Sequence, residues 1–308
     1  MNIPENISLI TILGPTATGK TTLAVKIANI CNGEIISADS RQIYKRMDIG
    51  TGKDLAEYSI NGKQIPYHLI DIINPSENYS VYSFQKQFHF IYNKILNQNK
   101  TTILCGGTGL YIESILLNYQ MSNIKPDYAL RENLEKLPKN ELLNLFKNID
   151  SNIMSSWKCD TKQRIIRGIE IASKRSTNTT DSPSYKLDSS KIIVLGIKMD
   201  RDKIKDRITN RLNTRLNNGM IEEVEILLSD NLVTFERLDY FGLEYKYIGY
   251  YLNKKISYEE LFNKLNTAIH KFAKKQMTFF RRMEKRGINI NWIENGNFDD
   301  AIDIINLM

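Results

Sequence analysis

The fold is decided by one short stretch, Gly14-Pro15-Thr16-Ala17-Thr18-Gly19-Lys20-Thr21. It matches the pattern GxxxxGK[ST], follows an apolar segment at residues 7–13 and precedes a helical pattern at residues 22–30. The glycines let the backbone turn its amide hydrogens inward, the helix N-terminus adds partial positive charge, and Lys20 adds a full charge. We therefore expect a loop that binds a diphosphate or triphosphate, with Thr21 at the position whose hydroxyl usually ligates Mg²⁺.

Short apolar segments alternate with helical patterns through the first half of the chain. Four of these segments are predicted strands, at residues 7–13, 34–38, 68–72 and 101–105. Two more are predicted in the second half, at residues 191–197 and 288–293. This order predicts an α/β fold with a P-loop NTPase-like parallel sheet flanked by helices.

The strand pattern is missing from residues 118–187, where charged helical segments replace it. These segments end in a polar stretch at residues 176–184, which we expect to be a flexible exit. We predict an all-helical insertion domain at residues 118–187. The P-loop core domain then comprises residues 1–117 and 188–308.

The composition is that of an ordinary globular protein. The 308 residues are 42% hydrophobic and 25% charged, with a mean hydropathy of −0.36, and no apolar run is long enough for a membrane helix. The first residues lack the features of a secretory signal, so we expect a cytoplasmic protein, and no pattern demands a dimer, so we expect a monomer. The three cysteines are scattered and predict reduced, apolar side chains.

Positive charge is concentrated near the C-terminus. The chain has a formal net charge of +7, and residues 270–286 contain seven basic side chains against the single acidic Glu284. The basic residues are Lys271, Lys274, Lys275, Arg281, Arg282, Lys285 and Arg286, and the interleaved apolar residues are Phe272, Met277, Phe279 and Phe280. This density favours a nucleic acid contact, although an amphipathic helix with a solvated basic face remains an alternative.

Polar segments follow the four predicted strands of the first half, at residues 14–21, 39–42, 74–76 and 106–108. Because ligands of open α/β sheets lie beyond the carboxyl ends of the strands, we expect these segments to converge on one crevice. There Asp39 is a candidate general base, with helix capping or a place beside a magnesium ion as alternatives. Asp71 is a candidate Walker B-like carboxylate, or a structural one.

A phosphate-binding loop alone does not decide the reaction. Arg164, Arg167, Arg207 and Arg211 lie at helical spacings and could close over a transferring phosphoryl group or over a leaving diphosphate. A P-loop small-molecule or nucleotide kinase and a basic RNA-binding adaptor therefore remain open at this point. The density of positive charge favours a partner larger than a metabolite.

Taken together, these motifs resemble the tRNA dimethylallyltransferase family, also called tRNA isopentenyltransferases, in its bacterial type. The landmarks, in order, are the loop at residues 14–21, Ser37-Ala-Asp39-Ser40-Arg41-Gln42-Ile-Tyr44, Met47-Asp48-Ile49-Gly50-Thr51, Asp71-Ile-Ile-Asn-Pro75, Gly106-Gly107-Thr108-Gly-Leu-Tyr111, Gln163-Arg164-Ile165-Ile166-Arg167 and Lys275-Gln276-Met-Thr278-Phe-Phe-Arg281. Where the family commonly has Gly-Tyr-Arg in a later segment, this chain has Glu244-Tyr245-Lys246.

The resemblance implies transfer of a dimethylallyl group from its diphosphate to N6 of adenosine 37, next to the tRNA anticodon. It implies that residues 14–21 and Arg211 bind the diphosphate with Mg²⁺ at Thr21, and that Asp39, Thr21 and Lys20 are catalytic. It also implies that the insertion domain at residues 118–187 contacts the tRNA. The implied tRNA contacts are Asp39, Ser40, Arg41, Gln42, Thr108, Gln163, Arg164, Ile165, Ile166, Arg167, Lys274, Lys275, Gln276 and Arg281.

Overall fold

The computed structural model describes residues 4, 7–175 and 187–307. The chain divides into two compact units, one made of residues 1–119 and 186–308 and the other of residues 120–185. The polar stretch predicted as a flexible exit, residues 176–184, lies outside the described residues.

The strands belong to the first unit. They are β1 (Leu9–Leu13), β2 (Glu34–Ser37), β3 (Ser59–Ile60), β4 (Lys63–Gln64), β5 (Tyr67–His68), β6 (Thr102–Gly106), β7 (Ile192–Lys198) and β8 (Asn291–Glu294). Six of them form one parallel sheet in the order β5-β2-β6-β1-β7-β8, and β3 and β4 form a short antiparallel pair. The predicted α/β fold with a parallel sheet is confirmed.

The helices alternate with these strands and then dominate the later chain. In chain order they are α1 (Lys20–Ile30), α2 (Val81–Leu96), α3 (Gly109–Leu116), α4 (Tyr128–Glu135), α5 (Lys139–Ile149), α6 (Ser151–Ser156), α7 (Lys162–Arg175), α8 (Arg201–Asn217), α9 (Met220–Ser229), α10 (Phe235–Phe241), α11 (Leu243–Leu252), α12 (Tyr258–Lys285) and α13 (Phe298–Asn306). In residues 7–175 and 187–307, every helix is too short or too polar to traverse a lipid bilayer.

Apolar side chains cover both faces of the parallel sheet. On one face α1 and α13 bury residues such as Ile27 and Ile305, and on the other α2, α3 and the end of α12 bury Phe84 and Phe280. Strands that are apolar on both faces are typical of a parallel sheet between two helical layers. A third apolar cluster packs the segment that follows β2 against the helices α8, α9, α10 and α11 and against the first half of α12.

The strand predicted at residues 68–72 is wrong beyond His68. Leu69 and Asp71 have φ angles of 62° and 55°, which is a left-handed conformation that an extended strand cannot accommodate. The turn directs the Asp71 carboxylate to the ammonium group of Lys53, whose side chain is fully buried and also donates to Asp48 at 2.8 Å. The structural alternative for Asp71 is therefore the correct one, because its carboxylate balances a buried cation.

The second unit has its own apolar core and a buried ion pair. Leu142, Phe146 and Ile165 are fully buried there. Glu170, also fully buried, accepts from Arg131 Nε at 2.6 Å and from Arg167 Nη1 at 2.9 Å. Burial alone would raise the pKa of Glu170, but these hydrogen bonds lower it below its ordinary value.

Candidate functional site

Three of the polar segments that follow the strands meet in one pocket at the carboxyl edge of the sheet. Residues 16–21 after β1, residues 39–42 after β2 and residues 105–108 at the end of β6 line a cavity of about 400 Å³. The fourth segment, residues 74–76, does not line it, so the expected convergence is wrong there. Instead, the carbonyl oxygen of Pro75 accepts a hydrogen bond from Arg237 Nε at 2.8 Å.

The phosphate-binding loop has the geometry that its sequence predicts. Gly19, with φ 85°, takes a left-handed conformation that favours glycine and begins α1 as its N-cap. Lys20 Nζ and Thr18 Oγ1 both donate to the carbonyl oxygen of Pro15, at 2.8 and 2.9 Å. Gly14 and Pro15 are buried behind the loop and do not line the cavity, so the other six loop residues form its wall. The first amides of α1 have no intrahelical acceptor and are available to an anion.

Positive charge at the phosphate-binding loop comes chiefly from two side chains, Lys20 and Arg211. Burial and the Arg211 charge lower the pKa of Lys20 to about 8, whereas the Asp39 carboxylate opposes the shift. Burial also lowers the pKa of Arg211 to about 10, assisted by the charge of Arg215. Arg211 donates to the hydroxyl of Thr16, and Arg207 Nη1 donates to the carbonyl oxygen of Ala17 at 3.4 Å. These cations are withdrawn from water and lie beside amide groups that lack an intrahelical acceptor. A bound anion would therefore interact favourably with both.

The turn after β2 forms another part of the cavity wall and carries Asp39. One of its carboxylate oxygens accepts from the backbone amide of Arg41 at 2.8 Å, which shapes the turn after β2. Among the described residues, the other oxygen has no hydrogen-bond partner. The hydroxyl of Thr108 accepts from the amide of Ser40 at 3.0 Å, so this N-cap residue of α3 uses its side chain to tie the two turns together and not to cap the helix amides. The Arg41 amide thus fixes the Asp39 carboxylate through one oxygen, and the other oxygen remains available for chemistry.

Arg41 and Gln42 complete this wall. Arg41 Nη2 donates to the carbonyl oxygen of Tyr240 at 3.3 Å, and its guanidinium lies over the rings of Tyr240 and Phe241 at 5.5 and 5.7 Å. Gln42 bridges Ser37 Oγ at 3.2 Å and the carbonyl oxygen of Gly52 at 3.1 Å. Gln42 therefore links the turn after β2 to the next loop along the chain.

That next loop, residues 50–52, also lines the cavity and was given no role by sequence reasoning. Glu223 on α9 holds it, because its carboxylate accepts from the amides of Asp48, Ile49 and Gly50 at 2.7, 2.6 and 3.1 Å. The hydroxyl of Tyr245 donates to the same carboxylate at 2.8 Å. A Cβ atom at Gly50 would lie 2.7 Å from the Tyr245 ring, so this close approach requires glycine.

Further charged residues of the cavity were also missed. They are Asp54, Glu57, Arg215 and Glu244. Burial raises the pKa of Glu244, while the charges of Arg215 and Arg211 oppose the rise. The spacing of four between Arg211 and Arg215 places both on one face of α8, a signal that could have identified Arg215. Glu244 stood out in the sequence only as a departure from the family pattern.

The basic segment at residues 270–286 forms the second half of α12, and its charge is lower than the sequence suggested. Arg282 and Arg286 pair with the fully buried Glu113 of α3, at 2.6 and 3.0 Å, so Glu284 is not the only acidic partner. The other five cations are exposed and, within the described chain, form no ion pair. Lys271, Lys274, Lys275, Arg281 and Lys285 line a shallow hollow together with Thr278, Phe279 and Arg282.

The interleaved apolar residues of α12 have different environments. Phe280 is fully buried in the core, so it offers no surface to a nucleic acid. Phe272 is half exposed and lines the cavity, and Phe279 lies under the guanidinium of Arg282 at 3.9 Å. Gln276 is buried, and both atoms of its side-chain amide are hydrogen-bonded within the protein.

The remaining predicted residues lie on α7 of the second unit. Gln163 and Arg164 are exposed, and Arg164 Nη1 pairs with Asp160 at 2.5 Å. Ile165 and Ile166 are buried in the core of that unit, and Arg167 is held by Glu170.

The donor set of the cavity fits a magnesium ion bound mainly through substrate. No group of three or more acidic, histidine or cysteine side chains that could hold a metal occurs in residues 7–175 and 187–307. Thr21 nevertheless lines the cavity together with the carboxylates of Asp39, Asp54 and Glu57. Mg²⁺ commonly uses one or two protein oxygens, water and phosphate oxygens. A hydroxyl beside a phosphate-binding loop is consistent with that mode of binding.

Comparisons with known proteins settle the family. The IPP transferase model matches residues 42–283, and the isopentenyl transferase model matches residues 7–67. The chain belongs to the IPP transferase family. It is 47% identical to tRNA dimethylallyltransferase 1 of Azobacteroides pseudotrichonymphae over 98% of both chains, and 46% identical to that of Parabacteroides distasonis over 94% and 93%.

Solved structures agree with this assignment. The tRNA isopentenylpyrophosphate transferase from Bacillus halodurans is 30% identical, with a TM-score of 0.68 over 97% of this chain and 95% of that one. A eukaryotic dimethylallyltransferase acting on tRNA shares the fold, with a TM-score of 0.75 at 22% identity. The relatives that are at least 30% identical to this chain support a prenyltransferase and disfavour the kinase and adaptor alternatives.

Proposed function

We propose that this IPP transferase family member transfers a dimethylallyl group from dimethylallyl diphosphate to N6 of adenosine 37 in tRNA. The observation that carries the proposal is the shared cavity, which is lined by a phosphate-binding loop and by a carboxylate that, among the described residues, has one oxygen without a hydrogen-bond partner. A kinase needs the same loop, but the relatives of this chain are named as tRNA dimethylallyltransferases.

The donor diphosphate binds the loop amides, Lys20 and Arg211. The carbon–oxygen bond of the donor breaks as the diphosphate leaves, and negative charge then develops on the bridging oxygen. Positive groups placed beforehand at that oxygen stabilise the transition state more than the ground state. Mg²⁺ held by Thr21 and the phosphate oxygens would neutralise further charge on the leaving group.

The acceptor is the exocyclic amine of adenine, a weak nucleophile. As the bond from N6 to the dimethylallyl carbon forms, Asp39 accepts a proton from N6. The base is extruded from the anticodon loop to reach the cavity, since the amine is inaccessible in a stacked strand. Ser40, Arg41, Gln42 and Thr108 line the wall on which the extruded base would rest.

The exposed cations of α12 bind tRNA phosphates, led by Lys274, Lys275 and Arg281. In the second unit, the exposed Gln163 and Arg164 provide the corresponding contacts, and the buried Ile165 and Ile166 orient α7 from within its core. Arg167 contributes by anchoring the same helix through Glu170. The protein acts as a monomer in the cytoplasm, the compartment of its tRNA substrate.

The test is nucleoside mass spectrometry of an unmodified tRNA with adjacent adenosines at positions 36 and 37. Incubation with the protein, dimethylallyl diphosphate and Mg²⁺ should yield N6-isopentenyladenosine and one diphosphate for each transfer. A parallel reaction with ATP and nucleosides addresses the kinase alternative. The absence of prenylated adenosine from every such tRNA, with the protein folded, would refute the proposal.

A further inference from the structure

Gln276 lies at the junction of three parts of the site. It is on α12, next to the exposed Lys275, but its own side chain is only 7% exposed. Its Oε1 atom accepts from the backbone amide of Thr16 at 2.9 Å, and its Nε2 atom donates to the carbonyl oxygen of Gly107 at 2.9 Å. One side chain therefore bonds the phosphate-binding loop and the turn after β6 simultaneously.

Further hydrogen bonds connect both ends of this bridge to residues that line the cavity. On the donor side, the hydroxyl of Thr16 is bonded by Arg211. On the acceptor side, Gly107 adjoins Thr108, whose hydroxyl accepts from the amide of Ser40, directly after Asp39. Hydrogen bonds and short stretches of chain therefore connect the diphosphate side of the cavity, through Gln276, to the general base Asp39.

The position leaves little freedom for the bridging amide. A Cβ atom on Gly107 would collide with Nε2 of Gln276, so a side chain at residue 107 would displace the amide from its two hydrogen bonds. Loss of the amide would leave the part-buried amide hydrogen of Thr16 and the buried carbonyl oxygen of Gly107 without these partners, which is costly enough to shift one of the segments. Transfer between two bound reactants is sensitive to such shifts, because reacting atoms must be aligned.

We propose that Gln276 is a positioning residue that fixes the donor loop relative to the acceptor turn, rather than a tRNA contact. The inference rests on the proposed function for its kinetic readout, but its structural readout is independent of any activity. It differs from the sequence expectation, which grouped Gln276 with the tRNA-binding residues of α12.

The test replaces Gln276 by methionine, which keeps the length of the side chain and removes both hydrogen bonds. The matched control is Gln85→Met, because Gln85 is equally buried in the same unit and its Nε2 atom donates to the carbonyl oxygens of Ser114 and Tyr119, at 3.1 and 2.8 Å. Gln85 does not line the cavity. Gly107→Ala is a second perturbation of the same bridge, from the opposite side.

Hydrogen exchange monitored by mass spectrometry is the first readout. Gln276→Met and Gly107→Ala should speed exchange in peptides that cover residues 14–20, and Gln85→Met should not. In steady-state kinetics, Gln276→Met should lower kcat by roughly tenfold to a hundredfold with little change in KM for tRNA. The slope of log tRNA affinity against log salt should stay at the wild-type value.

Two results would overturn the inference. One is unchanged exchange in the phosphate-binding loop of Gln276→Met, which would show that the side chain does not hold the loop. The other is a defect confined to KM for tRNA with a shallower salt slope, which would identify a direct tRNA contact. If the wild-type protein transfers no prenyl group, the proposed function fails, and the exchange measurement still decides the inference about Gln276.

Discussion

Replacing Lys274 and Lys275 together by alanine is expected to flatten the salt dependence of tRNA binding. Both side chains are exposed on α12 and line the shallow basic hollow. Neither forms an ion pair in the described chain, unlike Arg282 and Arg286, whose charges are engaged by Glu113. Their contribution to phosphate binding is therefore not reduced by a competing carboxylate.

The size of the effect follows from counterion release. Each lost phosphate contact lowers the slope of log affinity against log salt by about 0.7 to 0.9, so two contacts change it by about 1.4 to 1.8. Over a fourfold rise in salt, the wild-type protein should then lose about seven- to twelvefold more affinity than the double variant. The two proteins should converge in affinity as salt increases.

Fluorescence anisotropy with a labelled tRNA at four or more salt concentrations measures both slopes. The control is Lys86→Ala with Lys94→Ala, which removes the same charge from exposed positions on α2 outside the cavity and the hollow. An unaltered slope in the Lys274 and Lys275 variant, or an equal decrease in the control, would refute the reasoning. The basic face of α12 would then be a solvated surface.

Three further predictions concern the cavity. Asp39→Asn should lower kcat by a factor of about 10² to 10⁴ without weakening tRNA binding, because Asn keeps the acceptor for the Arg41 amide but cannot take a proton. A marked loss of thermal stability in this variant would instead indicate that the carboxylate is structural. Since the pKa of Lys20 is lowered to about 8, its charge is present below that pH and lost above it. Calorimetry with inorganic diphosphate should therefore show affinity falling by up to about tenfold from about pH 7 to pH 9, and Lys20→Met should bind weakly at both. Glu223→Gln should lower the free energy of unfolding by about 1 to 3 kcal/mol in urea titrations, since an amide nitrogen cannot accept from the loop. The control, Glu222→Gln at an exposed position of the same helix, should change it by less than about 0.5 kcal/mol. Equal effects of the two substitutions would mean that the hydrogen bonds to Glu223 add nothing to stability.

Local signals predicted the sheet and the phosphate-binding loop because both depend on neighbouring residues. A glycine-bracketed turn between an apolar strand and a helix needs no information from elsewhere in the chain. The strand prediction failed at residues 68–72 because the apolar side chains of this segment are buried by a turn that contains two left-handed residues.

The parts of the site that escaped prediction depend on contacts between distant positions. Glu113 neutralises Arg282 across 169 positions of the chain, so the count of charges within α12 could not reveal it. The same holds for Gln276, which bonds Thr16 across 260 positions. A polar residue on a basic helix suggests an RNA contact until the face of the helix is known.

Gly50 has a practical consequence for mutagenesis of the cavity wall. Its backbone meets the Tyr245 ring so closely that an added methyl group would lie 2.7 Å from the ring. A substitution that enlarges either partner alone would therefore push the loop away from the ring. Trimming the tyrosine relieves this crowding but removes the hydroxyl that donates to Glu223, so a redesign has to change the glycine, the tyrosine and the carboxylate together.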